Sequence, residues 1–205
     1  MGLSVSAGCL ADFIVREPDS VSWYAGEVAT VNQALQDHGF PTFTEPEKLG
    51  RPFEEACGFS YRELFCLFRV YALQHEGLPY TPTSTDQHLP AADNELVARA
   101  NVHRDSHLLS DGAYFAPVDF PRPIFSDAVE GGAVKSSHGL LHELIHLAPF
   151  IGITLDEGEP TEAARARMEE ISTEQVHSGQ EQWAWFVFYD AAQFSVQNET
   201  MIFMG

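Results

Sequence analysis

The residues whose types and spacing could do chemistry lie in one stretch, Ser136-Ser-His-Gly-Leu-Leu-His-Glu-Leu-Ile-His-Leu-Ala148. Its middle, His142-Glu143-Leu144-Ile145-His146, has the form H-E-x-x-H. On a helix, histidines four apart stand one turn above each other and can hold one zinc ion, while the glutamate between them can take a proton from a metal-bound water. The chemistry would be hydrolysis. At about 100° per residue, His138, His142 and His146 form one stripe and Leu141, Leu144, Ile145 and Ala148 another, so the histidines flank the polar side of the helix.

The motif resembles that of zincin metallopeptidases, in which two histidines bind zinc, the glutamate polarises the water and a third ligand comes from further along the chain. The resemblance covers the motif and its apolar neighbours. It implies zinc as cofactor, His142 and His146 as ligands and Glu143 as general base. The chain departs from the metzincin subgroup, which would place Gly and His where Pro149 and Gly152 stand, and Pro149 ends the helix one turn after His146. A third ligand would have to be Glu157 in an acidic loop, or Glu169 or Glu170 on the next helix. His138 lies about 12 Å up the axis from His146 and can pair only with His142. A second ligand set is His103-Arg-Asp105-Ser-His107, where an extended backbone would point both histidines and the aspartate to one side. No Gly-rich phosphate loop, G-x-S-x-G elbow or C-x-x-C pair offers a different enzyme.

The composition of the whole chain favours a different reading. The 205 residues carry 11 Lys+Arg against 30 Asp+Glu, a net charge of −19, and only Lys48 and Lys135 are lysines. Such a surface repels phosphate backbones and excludes direct nucleic-acid binding. It attracts cationic partners, including proteins that normally hold nucleic acid. The leading reading is therefore a non-catalytic intracellular protein that binds another macromolecule through its acid, as an inhibitor or a toxin-neutralising immunity protein would. Its partner would be a basic protein, with no nucleic acid, no membrane and no cofactor involved. The zinc hydrolase is the alternative. Acid that merely keeps the protein soluble in a salty cytoplasm is the plainest account of the charge.

Cys9, Cys57 and Cys66 are odd in number and set in apolar sequence, which reads as buried reduced thiols in a cytoplasmic protein. No signal peptide or membrane span is written. Met1-Gly-Leu-Ser-Val-Ser6 meets the loose myristoylation pattern, which a strand through Leu3 and Val5 explains as well.

The elements that must position these residues read as one α+β domain over residues 1–205. It is predominantly helical, with about six helices around a buried C-terminal aromatic helix and a small sheet. Helices are expected from about Val21 to His38, from the capping box Ser60-Tyr-Arg-Glu63 with Phe59 as staple, and behind Asp93. More follow over 136–148 and 161–175. The last, at 178–197, opens on the box Ser178-Gly-Gln-Glu181 and carries Trp183, Trp185, Phe186, Phe188, Tyr189 and Phe194 on nearly every face. Strands are expected at 2–8, 113–120 and 201–204, a flexible connector at 121–134 and an acidic loop at 154–160.

Overall fold

The computed structural model describes residues 3–53, 56–83, 90–173 and 179–205. The chain opens with β1 (Leu3–Ala7), α1 (Cys9–Arg16) and α2 (Val21–Asp37), then β2 (Ala56–Phe59), α3 (Tyr61–His75) and α4 (Ala91–Ala100). Next come β3 (Tyr114–Ala116), β4 (Ile124–Phe125), β5 (Ala133–Ser136) and α5 (Ser137–Leu147). The hairpin β6 (Leu155–Asp156) and β7 (Glu159–Pro160) precedes α6 (Glu162–Thr173), α7 (Gln180–Asn198) and β8 (Ile202–Met204).

Six strands form one mixed sheet in the order β2-β1-β8-β3-β5-β4. Strand β5 inserts between the two strands that precede it, parallel to β3 and antiparallel to β4, with Tyr114 facing Val134 and Ile124 facing the same residue from the other side. Both faces of the sheet are covered. Leu3, Val5, Ala7, Phe115 and Ile202 pack with α3, α5 and α7. On the opposite face Tyr114, Ala116, Val134 and Met201 pack with Cys9 of α1 and with Tyr24, Val31 and Leu35 of α2. The alternation along β3 follows from the period of two in a strand. Burial on both faces leaves no residue of β5 exposed.

Helix α7 is the buried centre that its aromatics imply. Ala184 through Tyr189 are all buried, Trp185 stacks on Tyr189 at 4.7 Å, and its indole N–H donates to the Leu144 carbonyl at 2.7 Å. Burying a large apolar side chain of this kind contributes roughly 2–3 kcal/mol. That bond ties α7 to α5, so the histidine-bearing helix is held from the core side.

The α+β, mostly helical architecture stands as expected, with seven α-helices among the described residues. The helix not foreseen is α1. Gly8 sits at its start with φ of +70°, and a Cβ there would lie 2.4 Å from Leu49 Cδ1. The 113–120 strand shrinks to β3 because Pro117 cannot donate to a ladder. The connector after it holds β4 and β5, and the 154–160 loop is the β6–β7 hairpin. The Ser60 capping box forms in full. In the expected second box, Ser178 lies outside the described residues, as do Met1, Gly2 and the side chains of Cys57 and Phe59. The buried Glu181 carboxylate accepts the Tyr80 hydroxyl and the Thr83 N–H. Cys9 and Cys66 are buried and not joined in a disulfide.

Candidate functional site

The H-E-x-x-H helix is built inward. Ser136 starts α5, its hydroxyl accepting the Gly139 N–H at 3.0 Å and donating to the Val118 carbonyl at 2.7 Å. The Ser136 N–H donates to His107 Nδ1 at 3.0 Å, and His107 Nε2 donates to the Phe120 carbonyl at 3.1 Å. Those two bonds fix the neutral ring with its proton on Nε2. Burial lowers its pKa to about 4. A Cβ on Gly139 would lie 2.1 Å from the same ring, so only glycine lets α5 approach it.

One turn further, Glu143 faces the same way. One carboxylate oxygen accepts the His107 N–H at 2.8 Å; the other accepts the Leu108 N–H at 2.8 Å and the Ser106 hydroxyl at 3.0 Å. Burial raises its pKa to about 7, against the lowering by its three donors. Lys135, fully buried, lies over the Phe115 ring at 3.9 Å and donates to the Ser110 carbonyl at 3.3 Å. Burial lowers its amine to about 7. Ser136, Gly139 and Glu143 therefore form a docking face for the 106–110 segment.

The expected metal-site residues are not brought together. His142 and His146 are exposed on the far side of α5, while Glu143 has both oxygens engaged by the chain's own donors. The proposed third ligands Glu157, Glu169 and Glu170 are exposed on the hairpin turn and α6. The 103–107 set fails too, because that stretch is not extended: His103 is exposed and His107 is turned inward. Among the described residues no three His, Cys, Asp or Glu side chains are grouped to hold a metal ion. The arrangement does not fit the zinc hydrolase alternative.

What can act is the outer face of α1 and α2. The Tyr114 hydroxyl lies between two carboxylates, 2.8 Å from Glu27 Oε2 and 3.2 Å from Glu130 Oε2. Burial first, and the Glu27 carboxylate second, hold that phenol well above its ordinary pKa, so it keeps its one proton, which goes to the nearer Glu27 or to Glu130. On the turn between the helices, the Ser20 hydroxyl donates to Glu17 at 3.4 Å, and Asp19 is exposed. Arg16, at the end of α1, is bound to Asp12 at 3.0 Å. Amid this acid stands Trp23, 46% exposed, its ring braced by Phe13, Tyr24 and Phe203 at 6.0–6.5 Å. Ile14 and Val15, 39% and 79% exposed, extend the apolar part on α1. Trp23 and Glu27 share one flank of α2, being four residues apart.

Sequence reasoning missed this face. Leu10 and Phe13 three apart, Asp12 and Arg16 four apart and Pro18 as a stop would have revealed α1. Glu130 gives no signal, since only the sheet brings it to Tyr114.

No curated protein and no solved structure matches the chain. A family model described as "Putative DNA-mimic protein" matches residues 1–204. This match corrects the partner inferred from charge, a basic protein with no nucleic acid involved. Nucleic acid enters as the thing imitated, and the partner class it implies is a DNA-binding protein. Matched along all but its last residue, the acidic chain belongs to this DNA-mimic family.

Proposed function

We propose that the protein occupies the DNA site of a DNA-binding protein, presenting the α1–α2 face where that partner would otherwise meet a duplex backbone. The family match over residues 1–204 carries the proposal. The character of the face supports it. Glu27 and Glu130 meet at the Tyr114 hydroxyl, which orients a carboxylate without cancelling its charge, and Glu17 and Asp19 are exposed on the α1–α2 turn. Negative charge is the sequence-independent part of what DNA offers a protein. The half-exposed Trp23 adds a rigid aromatic anchor of the kind that dominates interface energies. Action is by stoichiometric inhibition, in the cytoplasm where such partners meet DNA. No described helix is long and apolar enough to cross a membrane.

The test is affinity capture on the immobilised chain at low salt, followed by elution with duplex DNA. DNA-binding proteins should be retained and released by duplex at far lower charge concentration than by polyglutamate. Release by both polyanions alike, or retention of no DNA-binding protein at about 50 mM salt, would sink the proposal.

A further inference from the structure

On the other flank of α2 lies a groove of about 570 Å³ between that helix, Leu10 of α1 and residues 43–47. Its apolar lining comes from Leu10, Ala25, Val28, Ala29 and Phe43, and its polar lining from Asn32, Thr44, Glu45 and Glu47. Two alanines one turn apart on α2 leave the space open. The far wall is fastened: the Asn32 side-chain amide donates to the Phe43 carbonyl at 2.9 Å and accepts the Phe43 N–H at 3.0 Å. Glu45 is only 5% exposed, held by the Met201 N–H at 2.8 Å and by the Tyr24 hydroxyl. Glu47 is exposed at the rim, and among the described residues it forms no ion pair.

We infer that this groove receives an arginine side chain of the bound partner. The chemistry of the walls selects it. An apolar cleft with the Glu47 carboxylate at its rim suits a side chain with an apolar stem and a cationic head. A planar guanidinium can stack on the Phe43 ring and meet a carboxylate edge-on, which a lysine ammonium does less well. The source of the arginine rests on the proposed function, since DNA-binding proteins carry arginines for phosphate contact. The groove itself does not, because it is on the opposite flank of α2 from Trp23 and Glu27.

The experiment is an amide-resolved NMR titration of the full chain with the blocked tripeptide acetyl-Gly-Arg-Gly-amide, using acetyl-Gly-Ala-Gly-amide as control. Saturable shifts are expected at Ala25, Ala29 and the Asn32 side chain with the arginine peptide only. Affinity should fall at least about tenfold in Ala29→Trp, which fills the exposed mouth, and about threefold in Glu47→Gln, which removes the rim charge. Glu162→Lys, exposed on α6 away from the groove, should leave it unchanged. Shifts spread over all exposed carboxylates without saturation, or undiminished binding in Ala29→Trp, would overturn the inference. Groove binding with no DNA-displaceable partner would keep the groove and remove the function; the converse would do the reverse.

Discussion

Two acidic regions of this molecule have similar composition and different electrostatics. The β6–β7 hairpin and α6 set arginines among their acids: Arg165 reaches Glu159 at 3.8 Å and Asp190 at 3.5 Å, and Arg167 reaches Glu170 at 2.8 Å. The α1–α2 face sets hydroxyls among its acids, from Ser20 and Tyr114, and Arg16 at the end of α1 is bound to Asp12. A guanidinium cancels the charge it holds, whereas a hydroxyl only aims it. Net charge, summed over the chain, cannot distinguish the two. A recognition surface needs the second arrangement, and α1–α2 has it beside an exposed tryptophan.

The strongest way to break the comparison is to reverse the aimed charges. Glu27→Lys with Glu130→Lys should weaken the DNA-displaceable partner by about 100-fold or more in a binding titration. The matched pair Glu157→Lys with Glu162→Lys, on the hairpin and α6, should change it by less than about threefold. Equal losses from both pairs would mean that total charge alone matters.

Buried acid is a third condition, and it should register in stability instead. Glu143→Ala leaves two backbone N–H groups and a hydroxyl without their acceptor. It should cost about 3 kcal/mol in chemical unfolding. His142→Ala and His146→Ala, at exposed positions of the same helix, should stay within about 0.5 kcal/mol.

Glu45 sharpens the contrast through pH. Its carboxyl is raised from 4.5 to about 7 by burial, so the folded chain holds this proton more tightly than the unfolded chain does. Stability contributed by the neutral form is complete below pH about 4.5 and is lost as pH rises to about 7, up to roughly 3 kcal/mol. Glu45→Gln should remove that slope, gaining stability at pH 8 and little at pH 4.5. His107, lowered to about 4, acts in the opposite sense between 4 and 6.5 and is untouched by the substitution. The smallest effect belongs to the arginine-held region. Arg165→Ala breaks only exposed pairs and should shift unfolding by no more than about 0.5 kcal/mol.

The parts of the molecule that were legible in its sequence are those where local chemistry decides. Ser60 and Glu63 cap α3 because the box closes within four residues, and the all-round aromatics of 183–194 could only be a central helix. The H-E-x-x-H stretch shows where this stops. Its helix and the outward histidines follow from periodicity, yet the role of Glu143 is set by residues 106–108, more than thirty positions away. The same Gly139 that looks unremarkable inside a helical pattern is required by the ring of His107. The acidic balance pointed to binding, but which acids stay uncancelled depends on Tyr114 and Glu130 meeting Glu27 across the sheet.

The chain has two lysines, and the fold withdraws one of them. With Lys135 sealed over Phe115 and Lys48 exposed next to Glu47, a reagent that modifies amines meets a single accessible side-chain nitrogen. A dye or crosslinker attached there would stand beside the rim of the α2 groove, giving a side-chain reporter without any engineered cysteine.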